Sequence, residues 1–314
     1  MKPGYAKPLY LLPFDHRNSF VEDMFHFQFP LSDVQHQKVV AVKQIIYEGL
    51  LAAIAKNKVN PHAAILVDEQ FGSTILRDAK KHNLVTAVSV EKSGRTAFEF
   101  EYGADFGQHI ELFAPTFAKV LVRFNPEGDP ELNDLQLARL FLLSSWCQRN
   151  DQLFMFELLV PATKDQLRWY HSDLHAYDRK CRPGLMVQAI CAIQDAGIEP
   201  DVWKIEGLDE REDCLNIVEA ARRNGRNEVG CIVLGRGENE KKIADWLSMA
   251  GSVPGFIGFA VGRTTFWSAI ADLGSRLIDR KGAIARIAER YQMWVSLFEQ
   301  RQPKDQIKPV KRNA

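Results

Sequence analysis

"PDVWKIEGLDE", residues 200–210, is a short apolar run that carries two charges. Side chains of a strand alternate between its two faces, so Lys204 and Glu206 share one face with Val202, while Trp203 and Ile205 take the other. Trp203 and Ile205 are bulky and suit a layer of helices. That sends the ammonium and the carboxylate inward, where an unpaired charge costs several kcal/mol and must find a partner or change protonation.

Seven more short apolar runs occur along the chain: "PLYLLPF" (8–14), "AAILVD" (63–68), "VTAVSVE" (85–91), "AKVLVRF" (118–124), "QLFMFELLV" (152–160), "VGCIVLG" (229–235) and "GFIGFAVG" (255–262). Most are continuously apolar, the pattern of strands buried on both faces of a parallel sheet. Helical periods separate them. Residues 32–56 open with Ser32 or Asp33 as N-cap and carry Val39, Val42, Ile46 and Leu50 at helical spacing. Further helices are expected over 72–83, 105–115, 129–150, 185–197 (ending at Gly197, a C′ glycine), 211–225, 239–251 and 285–301. An open, doubly wound sheet shares these local signals. The count of eight strand–helix units favours a single-domain (β/α)8 TIM barrel over residues 1–300. One connection, 161–200, is oversized and holds an extra helix-like segment, "TKDQLRWYHSDLHAYDRK" (163–180).

In a barrel one parity of each strand faces the axis. The parity that buries Val120, Val122 and Phe124 against helices leaves Lys119, Leu121 and Arg123 inside. Likewise Met155, Glu157 and Leu159 point inward when Phe154, Phe156 and Leu158 point out, and Asp15 ends the first run at the C-terminal mouth. Three consecutive strands therefore aim Lys119, Glu157 and Lys204 at one volume. A structural ion pair would explain one lysine and one carboxylate. Two lysines beside one carboxylate push an amine toward neutrality, the state a nucleophile needs. Such a lysine forms a Schiff base with a carbonyl substrate, and the protonated imine becomes the electron sink for C–C cleavage while a carboxylate moves protons. No metal or cofactor is required.

The last two strands run into "LGRGENEKK" (234–242) and "GFAVGRTTFW" (258–267). Barrels often hold phosphate with these two loops, where glycines let backbone N–H groups approach and a helix N-terminus adds its dipole. Gly235, Gly237 and Gly262 fit the backbone role, and Arg236 and Arg263 offer forked charge.

These motifs resemble class I (Schiff-base) barrel aldolases of the tagatose-bisphosphate aldolase type. "AKVLVRFNP" (118–126), "LFMFELLV" (153–160), "PDVWKIE" (200–206) and "GFAVGR" (258–263) are similar to that family's strand four, five, six and eight signatures. "LYLLPFDHRNSF" (9–20) and "GFAVGRTTFW" bring the chain closer to the aldolase-like domain fused behind 5-dehydro-2-deoxygluconokinase. The resemblance runs from residue 8 to roughly 300. It implies Lys204 as the imine-forming lysine, Lys119 as its electrostatic partner, Glu157 as proton-transfer group, Arg263 on a substrate phosphate and Asp15 on substrate hydroxyls. "LGRG" departs from the serine-glycine phosphate loop of the tagatose-type enzymes, which bears on the geometry of a second phosphate. With no kinase domain attached, a stand-alone version is expected. The implied setting is inositol or related sugar catabolism, with 2-deoxy-5-keto-gluconate 6-phosphate a candidate substrate.

Other features are weaker. His16, Arg123 and Glu206 join the expected substrate contacts by position. His171 and His175 stand at i, i+4, but without an HExxH context they are expected on a solvated helix face. Asp68, Glu69, Gln70, Glu91 and Lys92 follow strands two and three, as sugar contacts or helix caps. Phe266, Trp267, Tyr291, Trp294 and Phe298 are expected to pack as core, with a subunit interface second.

Composition excludes several classes. Of 314 residues, 46% are hydrophobic and 25% charged, an ordinary globular balance. Forty basic and forty acidic residues cancel, which removes any global electrostatic case for nucleic acid or membrane surfaces. Cysteines 147, 181, 191, 214 and 231 form no CxxC pair, and an odd count without a signal peptide points to the cytoplasm. No apolar run approaches the roughly 18 residues of a membrane helix. Residues 301–314 are basic and expected to be disordered. The expected ligand is a small phosphosugar, the expected assembly a homo-oligomer. Two other readings remain open at this point: a phosphosugar isomerase or epimerase without imine chemistry, and a non-catalytic phosphosugar-binding barrel.

Overall fold

A computed structural model describes residues 3–56 and 62–302. Eight parallel strands close into a barrel in sequence order. They are β1 (Leu9–Pro13), β2 (Ala63–Val67), β3 (Val85–Ser89), β4 (Phe117–Arg123), β5 (Leu153–Leu159), β6 (Val202–Glu206), β7 (Gly230–Leu234) and β8 (Phe256–Ala260). Each coincides with one of the eight apolar runs. The helices are α1 (Asn18–Phe25), α2 (Asp33–Lys56), α3 (Glu69–Lys81), α4 (Phe106–Phe113), α5 (Pro130–Arg149), α6 (Lys164–Trp169), α7 (Leu174–Lys180), α8 (Arg182–Asp195), α9 (Arg211–Arg222), α10 (Glu240–Gly251), α11 (Arg263–Gly274) and α12 (Arg280–Glu299). The expected tail, apart from Arg301 and Gln302, lies outside the described residues.

Local chemistry sets the helix starts. Ser32 caps α2 through a reciprocal box: its hydroxyl accepts from the Gln35 N–H at 3.3 Å, and its own N–H donates to Gln35 Oε1 at 2.9 Å. Asp68 caps α3 by accepting from Phe71 N at 2.8 Å. That answers the ambiguity at "DEQFG" in favour of the cap. Thr163 and Gln166 form a capping box on α6, so the oversized connection is ordered helix: α6, α7 and α8. Gly197, at φ 77°, follows α8 as its C′ glycine.

Strand parity divides the core into two layers. Leu9, Leu11, Ala64, Leu66, Ala87, Phe117, Met155, Val202, Ile232, Ile257 and Ala260 fill the barrel axis. Trp203, Ile205, Phe154, Phe156, Val120 and Val122 belong to the larger layer between sheet and helices. The inward set expected for β4, β5 and β6 is therefore the observed one. The seam closes where β8 meets β1, Leu9 opposite Gly258. A Cβ on Gly258 would overlap the Leu9 carbonyl, so only glycine lets these backbones meet. Outside the seam, Tyr10 stacks on Phe259 at 5.4 Å and the Tyr291 hydroxyl of α12 donates to Tyr10 O at 2.7 Å. Phe266, Tyr291, Trp294 and Phe298 are buried in the core, and Trp267 is half-buried against it. No helix among the described residues is long and apolar enough to cross a membrane.

Lys43 of α2 is completely buried between helix and sheet and is ion-paired to the buried Asp68. Its ammonium also donates to His16 O at 3.0 Å and lies over the Phe20 and Phe71 rings. Lys43→Met removes the partner and leaves the Asp68 carboxylate buried, which is expected to cost about 3 kcal/mol. Urea unfolding should show a lower midpoint with an unchanged slope.

Candidate active site

The inward residues of β4, β5 and β6 converge at the C-terminal mouth. Leu121, Glu157 and Lys204 are register partners across these three strands, and Lys119 lies one inward position deeper. Glu157 bridges the two lysines: Oε1 is 2.6 Å from Lys204 Nζ and Oε2 is 2.8 Å from Lys119 Nζ. Lys119 also meets Asp15 and Glu91, each at 2.9 Å. Asp15 additionally accepts from Ser89 Oγ at 2.9 Å. All five ionisable groups are buried.

This arrangement corrects the charge balance inferred from sequence. There, two lysines faced one carboxylate, and crowding of ammoniums was expected. Here three carboxylates face two ammoniums. Burial opposes the charge on Lys119, but Asp15, Glu157 and Glu91 together outweigh it and raise its pKa well above the ordinary lysine value. Lys119 is a fixed cation. Burial pushes the Glu157 carboxyl up, but Lys119 and Lys204 more than offset that, so it is held below the usual range. Asp15 behaves in the same way, with Lys119, His16 and Lys204 overcoming burial. Glu91 ends above its usual value, because burial prevails over Lys119 and Arg17. Sequence reasoning left Glu91 undecided. Its signal was an acid just past β3, at the rim where barrel side chains meet substrate.

His16 follows Asp15 in the loop to α1. Burial, with Arg263 and Lys204 adding to it, lowers its pKa to about 4 against the opposing pull of Asp15 and Glu157. Its Nδ1 is buried and has no hydrogen-bond partner. Arg17 donates to the Glu91 carbonyl and forms a 2.7 Å pair with Glu101, which ties this loop to the segment after β3.

Two lobes of one cleft meet at these residues. A lobe of about 480 Å³ and a lobe of about 220 Å³ share His16, Leu121, Glu157 and Lys204 in their walls. The smaller lobe runs to Gly235, Arg236, Gly237, Gly262, Arg263 and Thr264, so the two expected phosphate loops do border the same space as Lys204. The α11 N-terminus opens there without a side-chain cap. Gly262 packs its Cα against the Pro13 carbonyl, where a Cβ would collide. Arg263 is held by Ser19 Oγ at 2.7 Å and Asp23 at 3.1 Å, and stacks over Trp267. Arg236 is more committed than expected, paired to Asp178 at 2.8 Å and Glu206 at 3.1 Å. Glu206 accordingly serves the rim: it accepts from Val160 N at 2.9 Å and does not border either lobe. Arg123 lines the larger lobe with Lys92. No cluster of His, Cys, Asp or Glu among the described residues could hold a metal ion, His171 and His175 included.

Fold and site together define a (β/α)8 barrel with a buried lysine–carboxylate cluster at its C-terminal mouth. The chain belongs to the family described as "Uncharacterized protein conserved in bacteria (DUF2090)", whose family model matches residues 2–302. Among solved structures it is similar to an archaeal fructose 1,6-bisphosphate aldolase, at 10% identity and TM-score 0.55, covering 93% of this chain and 94% of that one. The protein Cgl0159 of Corynebacterium glutamicum matches at 14% identity and TM-score 0.54, over 93% and 88% of the two chains. A fructose-bisphosphate aldolase from Slackia heliotrinireducens matches at 13% identity and TM-score 0.53, over 90% and 86%. At these identities the likeness is one of fold. No curated protein matches the chain.

The low pKa of His16 has a sign that can be checked. Between about 4 and the ordinary histidine value of 6.5 the unfolded chain binds the proton and the folded one does not. Stability contributed by neutral His16 is therefore present above this window and lost as pH falls through it. His16→Gln should flatten the rise in unfolding free energy across that window, measured by denaturant titration at several pH values.

Proposed function

We propose that the chain is a class I aldolase that cleaves a phosphorylated ketose or keto-acid through a Schiff base on Lys204. The observation that carries this reading is the 2.6 Å contact between Lys204 Nζ and Glu157, with Lys119 fixed as a cation on the same carboxylate. A lysine alone in a barrel would be a buried liability. A lysine beside a proton acceptor, opening into a cleft, is equipped for addition to a carbonyl.

The steps are as follows. Lys204, as free amine, adds to the substrate ketone and forms a C–N bond. Glu157 carries the protons that convert the carbinolamine oxygen into departing water. The iminium then accepts the electron pair of the adjacent C–C bond, while a base removes the hydroxyl proton of the carbon that leaves as aldehyde. Glu157 and Asp15 are the anionic carboxylates in reach of this centre, and Asp15 contacts substrate hydroxyls. The remaining enamine takes a proton at carbon, and water hydrolyses the imine to release a three-carbon ketone phosphate. Lys119 holds Glu157 and Asp15 ionised throughout. The phosphate sits among the N–H groups of Gly235, Gly237 and Gly262 and the α11 N-terminus, with Arg263 at its rim. Arg236 acts there through its orientation by Glu206 and Asp178. The candidate substrate is 2-deoxy-5-keto-gluconate 6-phosphate, in cytoplasmic inositol or related sugar catabolism, and the tagatose-type likeness of the strand motifs supports the same chemistry.

Incubation with dihydroxyacetone phosphate and borohydride should leave a reduced adduct on Lys204, located by peptide mass spectrometry, and Lys204→Met should abolish it. Absence of the adduct with several ketose phosphates overturns the imine mechanism in favour of an isomerase or a binding barrel. Glu157→Gln should keep phosphate binding but slow turnover by roughly 10²–10⁴-fold, the usual worth of one general acid–base group.

A further inference from the structure

The outer face of α5 does not have the composition of a solvated helix. A helix on the outside of a barrel turns an apolar stripe inward and polar residues to solvent. Beside Leu140 and Leu143, α5 buries Asn133, Gln136 and Ser144, and it exposes Leu135, Phe141 and Leu142, at 45%, 48% and 57%. Among the described residues no other helix carries more than one large apolar side chain so exposed. The buried polar groups hold the helix in this rotation. Gln136 accepts from Phe98 N at 3.0 Å and donates to Arg123 O at 3.1 Å, Asn133 donates to Asn125 O at 2.8 Å, and Ser144 Oγ accepts from Glu199 N at 2.9 Å. Phe141 is fixed as well: its ring lies against Gly197, where a Cβ would come within 3.1 Å of it.

Charge completes the pattern. At 3.6 residues per turn, residues 18 apart are separated by five whole turns, and steps of 7 and 11 fall within about 20° of the same line. Glu131, Ala138, Leu142 and Arg149 stand at these steps, so they form one straight stripe, exposed along its length. The ends of the stripe are opposite in charge, and its middle sets a small side chain beside a large one. Neither Glu131 nor Arg149 has an ion-pair partner among the described residues. The stripe is symmetric about residue 140, which lies midway between 131 and 149 and midway between 138 and 142. A second α5 laid antiparallel about a two-fold axis at that level places Glu131 against the partner's Arg149 and Leu142 over the partner's Ala138, each contact occurring twice. A small residue at the crossing lets the two axes approach toward the short end of the usual roughly 8–10 Å. A parallel arrangement would set like charges against each other at both ends.

We propose that the outer face of α5 is the interface for a second copy of this chain, packed antiparallel through the Glu131–Ala138–Leu142–Arg149 stripe. The occupant is the chain itself because one stripe supplies both halves of every contact. Leu135 and Phe141 flank the stripe and lose water when it is covered. The assignment is independent of the aldolase reading. Contact through one helix is small for a protein interface, which places the association in the micromolar range.

The test is sedimentation equilibrium of the full chain from about 1 to about 100 µM. The wild-type mass should rise with concentration toward twice that of the chain or an even multiple of it. Leu142→Glu, a change at an exposed side chain, should hold the mass at half the wild-type limit. Glu131→Arg and Arg149→Glu each bring like charges together in a homodimer and should weaken association at least about tenfold. Mixed one to one, the two variants should associate again as the wild type does, because each then meets the opposite charge at both ends of the stripe. That rescue belongs to the antiparallel register alone and cannot arise from a variant that fails to fold. A wild-type chain that stays monomeric to about 100 µM, an assembly whose mass survives Leu142→Glu, or mixed variants that associate no better than either alone overturns the interface.

Discussion

The site is organised around one ammonium. Lys119 sits above apolar layers that fill the barrel axis, and three carboxylates from three different segments close on it. None of the four could be buried alone, since isolated charges in a low-dielectric interior cost far more than a domain's margin of stability. Together they fix the relative positions of the β1 loop, the end of β3, β4 and β5. Lys204 then takes the second oxygen of Glu157. Its position follows from a carboxylate that Lys119 has already oriented, so the placement of Lys204 is inherited from the electrostatic core.

The same cluster separates acids that begin alike. Asp15 and Glu157 are drawn down and Glu91 is pushed up, although all three touch the same network. Neighbouring carboxyls whose affinities for protons are driven apart can hold different protonation states at one pH, which general acid–base chemistry uses. His16 adds a neutral imidazole above them. A barrel whose strands are short and whose loops carry the function needs this kind of internal tether, because loops are otherwise its most mobile parts.

Most of the fold was legible because strand identity here is a matter of apolar runs. All eight strands follow from their apolar runs, and the inward parity of β4, β5 and β6 follows from period-two alternation, decided by the bulk of Val120, Phe154 and Trp203. Two helices were not legible, α1 and α11. Each begins immediately after a strand-end motif and lacks a side-chain cap, so the usual start signal is missing. The extra connection offered a capping box at Thr163 and Gln166 that a closer reading of spacing could have found. Within the site, strand positions were legible and loop positions only in part: Asp15 and Arg263 were expected at the mouth and border it. Alternation places Lys119, Glu157 and Lys204; nothing local says that Glu91 joins them, or that Arg236 spends its fork on Glu206 and Asp178.

That difference bears on how the charge balance was misjudged. Counting only strand residues gives an excess of ammonium, and the count reverses once loop carboxylates are included. The reversal changes the physical account of the nucleophile. A lysine lowered by a neighbouring cation would be poised by repulsion. Lys204 instead pairs with a carboxylate that Lys119 holds in place. Lys119 is sealed from the cleft and Lys204 borders it, the division that the proposed roles of fixed cation and reacting amine require.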